Sequence, residues 1–198
     1  MQFININHRE QTVDFPEAVI TGLGKGQGLF FPEKLSPPGD VQVLLDMNFV
    51  TRSTVLLQSL IGAAMDRETL QGCVRRAFDF PLEMTRVSSN VHALELFHGP
   101  SLAFKDFGAR FMAECLASFS NNGKTTILTA TSGDTGAAVA LAFYGQPGID
   151  VVVLYPKGNV TPLQEKLFCT LGGNIRTIAI EGDFDSCQKL VKQSFDDE

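Results

Sequence analysis

The sequence of 198 residues lacks several features that mark common classes of protein. It has no tryptophan and only two tyrosines, its 16 lysines and arginines form no cluster, and its net charge is -6. Because phosphate contacts depend on clustered lysine and arginine, this composition argues against nucleic-acid binding. No apolar run approaches the roughly 20 residues needed to cross a bilayer, which argues against a membrane span.

Pairs of closely spaced cysteines are also missing. The four cysteines, Cys73, Cys115, Cys169 and Cys187, are far apart, and the three histidines are scattered. This spacing argues against a disulfide framework and predicts no metal site. The N-terminus MQFININHREQ has no basic segment followed by an apolar one, so no secretory signal is predicted. These absences predict a soluble, cytoplasmic protein with reduced cysteines.

What is present is a large apolar fraction, 44% of the residues, with 16 phenylalanines as the main aromatic component. The first 90 residues are mixed: a short strand is predicted at residues 3–6 and a helix at 14–21. The glycine-studded GLGKGQGLFFP, residues 22–32, predicts a loop that leads into a strand. Helical spacing over residues 41–80, with breaks near Asn48 and Gly62, predicts a smaller, mainly helical N-terminal region.

After residue 91 the pattern changes to strands that alternate with helices. Predicted strands are VHALELF, TTILTAT, VVVLYP and IRTIAI; helices are predicted from Asp106, at residues 135–143 and 162–171, and from Phe184. This alternation predicts an α/β fold with a mostly parallel sheet and crossover helices. Because the chain stops in the last helix without a closing element, we expect it to be the front part of something longer.

One candidate site is the turn in TATSGDTGAAVALAFYG, residues 129–145, where a strand ends and a helix begins. Hydroxyls and a carboxylate from Thr131, Ser132, Asp134 and Thr135 lie where a helix exposes unpaired N–H groups, which suits an anion site. Ordinary N-capping by Asp134 or Thr135 explains the same residues. Glycines on both sides of Asp134 leave the backbone open to a ligand, and this favours a site.

A second candidate is Lys105, which lies in ELFHGPSLAFKDFGARF, residues 95–111. Most lysines are solvated charges. Of the four residues before Lys105 only Ser101 is polar, and Phe107 follows two positions later. A partly desolvated amine becomes nucleophilic, which suits Schiff-base chemistry.

The two segments FHGPSLAFKDFG and TATSGDTG together resemble the threonine synthase family, fold-type II enzymes that depend on pyridoxal phosphate. The resemblance extends to GLGKGQGLFFP and to YPKGNVTPLQEKLFCTLGGN, residues 155–174, and covers essentially the whole chain. It implies a tryptophan synthase β-like fold, with residues 1–90 as an N-terminal region and 91–198 as the first part of the catalytic domain. It also implies conversion of O-phospho-L-homoserine and water into L-threonine and phosphate.

The resemblance also implies roles for individual residues. Lys105 matches the lysine that holds pyridoxal 5'-phosphate as a Schiff base and moves protons at the substrate α- and β-carbons. Thr131, Ser132 and Thr135 match the loop that binds the substrate α-carboxylate. Asp134 stands where many relatives have an asparagine beside the cofactor's 3'-oxygen, and Phe104 is expected near the cofactor ring or in the core.

The sequence departs from the family in one respect. The glycine-rich loop of the SGNFG kind that cradles the cofactor phosphate is not found downstream of Lys105, so the isolated chain is expected to be inactive. One alternative is therefore a catalytically incomplete fragment of such an enzyme. A second is another fold-type II lyase, such as a dehydratase or a β-replacing synthase. A third is a P-loop protein, which Gly123-Lys124-Thr125 suggests. The P-loop motif needs a glycine where Ser118 stands. The sequence does not determine an oligomeric state.

Overall fold

The computed structural model describes residues 1–37, 39–119 and 123–196. The chain divides into two compact units, which are Met1–Asp79 with Glu114–Phe119, and Phe80–Ala113 with Ser120–Glu198. The N-terminal region was predicted to end at residue 90, whereas the first segment of the first compact unit ends at Asp79. In the described part of the chain, no helix is both long and apolar enough to span a membrane.

The first unit combines a small sheet with helices. Its elements are β1 (Phe3–Asn5), β2 (Thr12–Val13), α1 (Phe15–Thr21), β3 (Phe30–Pro32), α2 (Val41–Leu45), α3 (Phe49–Ile61) and α4 (Arg67–Ala77), with short 3-10 turns at Lys25–Gln27 and Gly62–Ala64. Strand β1 pairs antiparallel with both β2 and β3. The predicted strand at residues 3–6 and the loop-to-strand passage at 22–32 are therefore confirmed.

Side-chain caps explain where the helices of this unit begin. Asp14, Asn48 and Asp66 each accept a hydrogen bond from the backbone N–H three residues later, which satisfies a donor that has no partner within the helix. Helix α3 ends at Gly62, whose φ of 64° favours glycine. The predicted breaks near Asn48 and Gly62 are therefore confirmed, and each has a local cause.

A buried asparagine holds the glycine-rich loop of this unit. Asn5 has no exposed surface, and its Oδ1 accepts hydrogen bonds from the backbone N–H groups of Asn7 and His8. Its Nδ2 donates to Gln11 Oε1 at 2.7 Å and to the Lys25 carbonyl at 2.9 Å. The same side chain thus fixes both the strand end and the GKGQG loop.

We expect Asn5→Ala to lower the free energy of unfolding of the first unit by about 2–4 kcal/mol, because buried backbone donors and a carbonyl lose their partner. The neighbouring Asn7→Ala is the control, since the Asn7 side chain is exposed and donates a hydrogen bond to the Gly26 carbonyl. That control should cost less than about 1 kcal/mol. Urea unfolding of both variants measures the difference, and equal losses would contradict the role given to Asn5.

The second unit contains a two-stranded hairpin and a three-stranded parallel sheet. Its elements are β4 (Glu83–Arg86), β5 (His92–Glu95), α5 (Lys105–Phe119, which ends in the first unit), β6 (Thr125–Ala130), α6 (Asp134–Phe143), β7 (Ile149–Pro156), α7 (Pro162–Cys169), β8 (Ile175–Ile180) and α8 (Phe184–Asp196). Strands β6, β7 and β8 are parallel and lie in sequence order. The predicted α/β fold is confirmed; strand β4 was not predicted.

Burial of the central strand explains why the helices pack where they do. Helices α6 and α8 both contact β6 and β7, and α7 contacts α6 and β8. Val153 and Leu154 of β7 are adjacent and point to opposite faces of the sheet, and both are buried, which is typical of a parallel strand that is covered on both faces. A Cβ at Gly136 would lie 2.9 Å from Val153 Cγ1, so this glycine lets α6 approach the sheet closely.

Candidate functional site

Lys105 is the first residue of α5 and follows a loop with exposed apolar side chains. The lysine is half-buried, and its Nζ lies 4.4 Å from the centroid of the Phe104 ring. Phe104 and Leu102, which precede the lysine in the chain, are 59% and 61% exposed and are therefore not part of the buried core. Within the described residues, no carboxylate forms an ion pair with Lys105. The amine is therefore accessible and available for chemistry.

Asp106, the residue after the lysine, was predicted to begin this helix. Helix α5 begins at Lys105, so Asp106 lies in the first turn of the helix and not at its cap. The Asp106 side chain is 1% exposed, and its Oδ2 accepts a hydrogen bond from the Ser101 backbone N–H at 2.9 Å. A Cβ at Gly99 would lie 2.9 Å from Asp106 Cγ, so glycine is needed there. Asp106 thus closes the loop that presents Lys105.

The turn between β6 and α6 is held by a buried threonine. Thr131 has no exposed surface, and its Oγ1 accepts hydrogen bonds from the N–H groups of Gly133 at 2.9 Å and Gly136 at 2.8 Å. The N-cap residue Gly133 makes no side-chain cap bond. The predicted capping by Asp134 or Thr135 is therefore wrong, because the Thr131 hydroxyl already satisfies these donors. Thr131 thus fixes the backbone of the turn, and its contact with the substrate stays a prediction.

The outer side of this turn offers polar groups to a ligand. Ser132 and Asp134 are exposed, and Thr135 is half-buried. The first N–H groups of an α-helix have no intrahelical partner, and the helix dipole favours an anion there. The turn also lies at the carboxyl end of β6, the edge at which parallel sheets bind ligands. A small carboxylate fits this arrangement; that Lys105 faces it stays a prediction.

Gln164, which was not predicted as a site residue, contacts this turn. Gln164, in the first turn of α7, donates from Nε2 to Asp134 Oδ1 at 2.6 Å. The local sequence TPLQ does contain a signal, because threonine followed three residues later by glutamine predicts a capping box. Nothing in that motif points to Asp134, which lies 30 residues earlier in the chain.

A third polar cluster lies on the hairpin of β4 and β5. One ligand-type atom from each of Glu83, Glu95 and His98 lies within 4.8 Å of the others. Both oxygens of Glu95 have partners, since Thr85 Oγ1 lies 2.6 Å from Oε1 and His98 Nε2 lies 2.7 Å from Oε2. These bonds, that from Thr85 first, lower the pKa of Glu95. The cluster is therefore explained by its own hydrogen bonds.

Known proteins resemble this chain in both segments that carry candidate site residues, the one around Lys105 and the turn at residues 131–135. The family described as pyridoxal-phosphate dependent enzyme matches residues 81–198, which include Lys105 and the whole turn. Along 100% of this chain, the threonine synthase of Haemophilus influenzae is 59% identical, and 46% of that protein is covered.

Solved structures give the same result. The crystal structure of threonine synthase from Escherichia coli superposes with a TM-score of 0.95 at 56% identity, over 100% of this chain and 47% of that one. The structure of threonine synthase with bound pyridoxal phosphate from Brucella melitensis has a TM-score of 0.87 at 30% identity, over 100% and 45%. The chain thus spans about half the length of the relatives that it matches.

Proposed function

Because this chain belongs to the family of pyridoxal-phosphate dependent enzymes, we propose that the whole protein is a threonine synthase. It would convert O-phospho-L-homoserine and water into L-threonine and phosphate. The observation that carries this proposal is the 59% identity with a threonine synthase along the entire chain. The local geometry of Lys105 and of the turn at residues 131–135 supports it.

The residues around Lys105 fit a cofactor that carries an aldehyde. The amine is half-buried, borders an exposed aromatic ring, and has no carboxylate partner within the described residues. The adjacent Asp106 carboxylate is buried and accepts a hydrogen bond from the Ser101 N–H. Lys105 would therefore hold the cofactor covalently, and Phe104 would pack beside it. When bound, pyridoxal phosphate supplies a conjugated ring that stabilises negative charge on the substrate carbons.

The substrate would bind at the turn through its α-carboxylate. Ser132 and Thr135 offer hydroxyls at the start of α6, where the helix dipole favours an anion. The Thr131 hydroxyl would hold the turn in place by accepting hydrogen bonds from the backbone N–H groups of Gly133 and Gly136. Asp134 would help to hold the cofactor beside its 3'-oxygen, and Lys105 would move protons at the substrate α- and β-carbons.

An assay of the full-length protein tests the reaction. With O-phospho-L-homoserine we expect phosphate and threonine to form in equal amounts, because elimination of the phosphate is followed by addition of water. With serine or threonine as substrate we expect little pyruvate or 2-oxobutyrate. Release of these oxoacids without turnover of phosphohomoserine would contradict the proposal and favour a dehydratase of the same family.

The isolated 198-residue chain provides the second arm of this assay. Its sequence has no SGNFG-type loop after Lys105 to hold the cofactor phosphate, so we propose that it is inactive alone. Threonine formation by the purified 198-residue chain would contradict its proposed inactivity, but it would not affect the reaction proposed for the full-length protein.

We also propose a cytoplasmic location for the protein. All four cysteines are free, and Cys73, Cys115 and Cys187 are buried. Burial raises the pKa of the Cys115 thiol to about 12, which makes it unreactive near neutral pH. Buried, inert thiols of this kind are typical of structural cysteines in a reducing compartment.

A further inference from the structure

We infer that Gln164 is a positioning residue for Asp134, and this inference rests on the proposed function. Gln164 belongs to α7, whereas the other site residues lie at the start of α5 and around the start of α6. Its side chain reaches across the edge of the sheet to the Asp134 carboxylate, with 2.6 Å between Nε2 and Oδ1. A hydrogen bond to an ionised group is among the stronger ones in proteins.

The orientation of the Gln164 amide is set by its other contacts. Its Oε1 accepts hydrogen bonds from Thr161 Oγ1 at 2.8 Å and from the Thr161 N–H at 3.3 Å. A carbonyl oxygen accepts and an amide nitrogen donates, so a flipped amide would lose both bonds. The capping box of α7 therefore directs the donor Nε2 toward Asp134.

The backbone at the turn leaves room for this contact. Gly133 has a φ of 145°, which favours glycine, and a Cβ there would lie 2.5 Å from Gln164 Nε2. Parallel pairing of β6 with β7 brings the start of α7 beside the turn, since both follow the carboxyl ends of neighbouring strands. Three separate features, the capping box, the glycine and the strand pairing, thus lead to one contact.

The contact has a consequence for the proposed cofactor site. An unprotonated carboxylate beside the electron-rich 3'-oxygen would be repelled. An amide donor on Oδ1 offsets part of that negative charge and prevents the Asp134 side chain from rotating away. Gln164 thereby lets an aspartate occupy a position where an uncharged side chain would meet no repulsion.

Gln164→Glu isolates the donor in an experiment on the full-length protein. Glutamate keeps an oxygen that accepts from Thr161, so the helix cap survives, but it places a second carboxylate against Asp134. Gln188→Glu is the matched control, because it makes the same charge change at an exposed position on α8. Gln164→Met removes the donor without adding charge.

The dissociation constant of pyridoxal phosphate is measured for each variant by absorbance titration at several pH values. Thermal melting of the cofactor-free protein checks that each variant is folded.

We expect Gln164→Glu to weaken cofactor binding about tenfold to a hundredfold at pH 8, relative to the unmodified protein. A proton shared between paired carboxylates removes their repulsion, so the ratio of the two dissociation constants should fall as the pH is lowered. Gln164→Met should weaken binding by a factor that changes little with pH, and Gln188→Glu should bind like the unmodified protein. A purely structural role would not produce this difference in pH profile.

The inference is overturned if Gln164→Glu and Gln164→Met both bind the cofactor like the unmodified protein, or if Gln164→Glu shows the pH profile of Gln188→Glu. Cofactor binding is measured without turnover, so the result is separate from the proposed reaction. If the variants show the expected pH profiles of cofactor binding but the protein forms no threonine, the threonine synthase proposal is contradicted and the role of Gln164 is not.

Discussion

Replacement of Lys105 by alanine should abolish the absorbance band that bound pyridoxal phosphate gives at roughly 410 to 430 nm when attached to a lysine. Alanine has no amine to which the cofactor could attach. Lys105 is the expected point of attachment because its amine is half-buried and has no ion-pair partner in the described part of the chain. Activity should fall at least about 10²- to 10⁴-fold, because the proposed proton carrier is lost together with the covalent attachment. Absorbance spectra and turnover of the full-length protein measure both effects.

Two further variants separate amine chemistry from charge. Lys105→Arg keeps a cation beside Phe104 but cannot form the covalent bond, so it should also lose the band. Lys189→Ala, at an exposed position on α8, should retain both band and activity. Borohydride reduction followed by peptide mapping should label Lys105. A band that survives in Lys105→Ala, or a label on another lysine, would show that the assignment is wrong.

The second large effect concerns folding of the turn. Thr131→Val keeps the shape of the side chain but removes the oxygen that accepts from the buried N–H groups of Gly133 and Gly136. Because each unsatisfied buried donor costs about 1–3 kcal/mol, we expect the free energy of unfolding to fall by about 2–5 kcal/mol. Denaturant unfolding of the full-length protein, followed by circular dichroism, measures the loss.

Thr131→Ser is the matched control for this variant. Serine keeps the oxygen and removes only a methyl group, so the loss should be about 1 kcal/mol. If the two variants lose the same amount of stability, the methyl contacts of Thr131 and not its hydroxyl hold the turn, and the proposed positioning role is contradicted.

The strands and helices of the second unit were largely predictable from local patterns. The apolar runs TTILTAT, VVVLYP and IRTIAI are strands β6, β7 and β8, and the helices between them begin within one residue of the predicted starts. Strand β4 was missed because its residues, EMTR, are all exposed and contain no apolar alternation. The strand is defined by its antiparallel pairing with β5, in which Met84 lies opposite Leu94.

The site was predictable in part, and mainly through its motifs. Composition alone left Lys105 open between a solvated charge and a nucleophile, and only the two segments together pointed to one chemistry. The capping prediction at Asp134 and Thr135 failed because side-chain pattern does not reveal which oxygen reaches a helix start. The structure shows that Thr131, which precedes the helix by three positions, provides that oxygen.

The sequence by itself determined the alternation of strands and helices, the start of most helices, and the two segments that carry the candidate chemistry. These properties depend on residues within a few positions of one another, through periodic burial and local hydrogen bonds. The tertiary structure alone decided that Asp106 is buried and that Gln164 meets Asp134 across 30 positions of the chain. Such contacts depend on strand order and register, which place separate turns at one edge of the sheet.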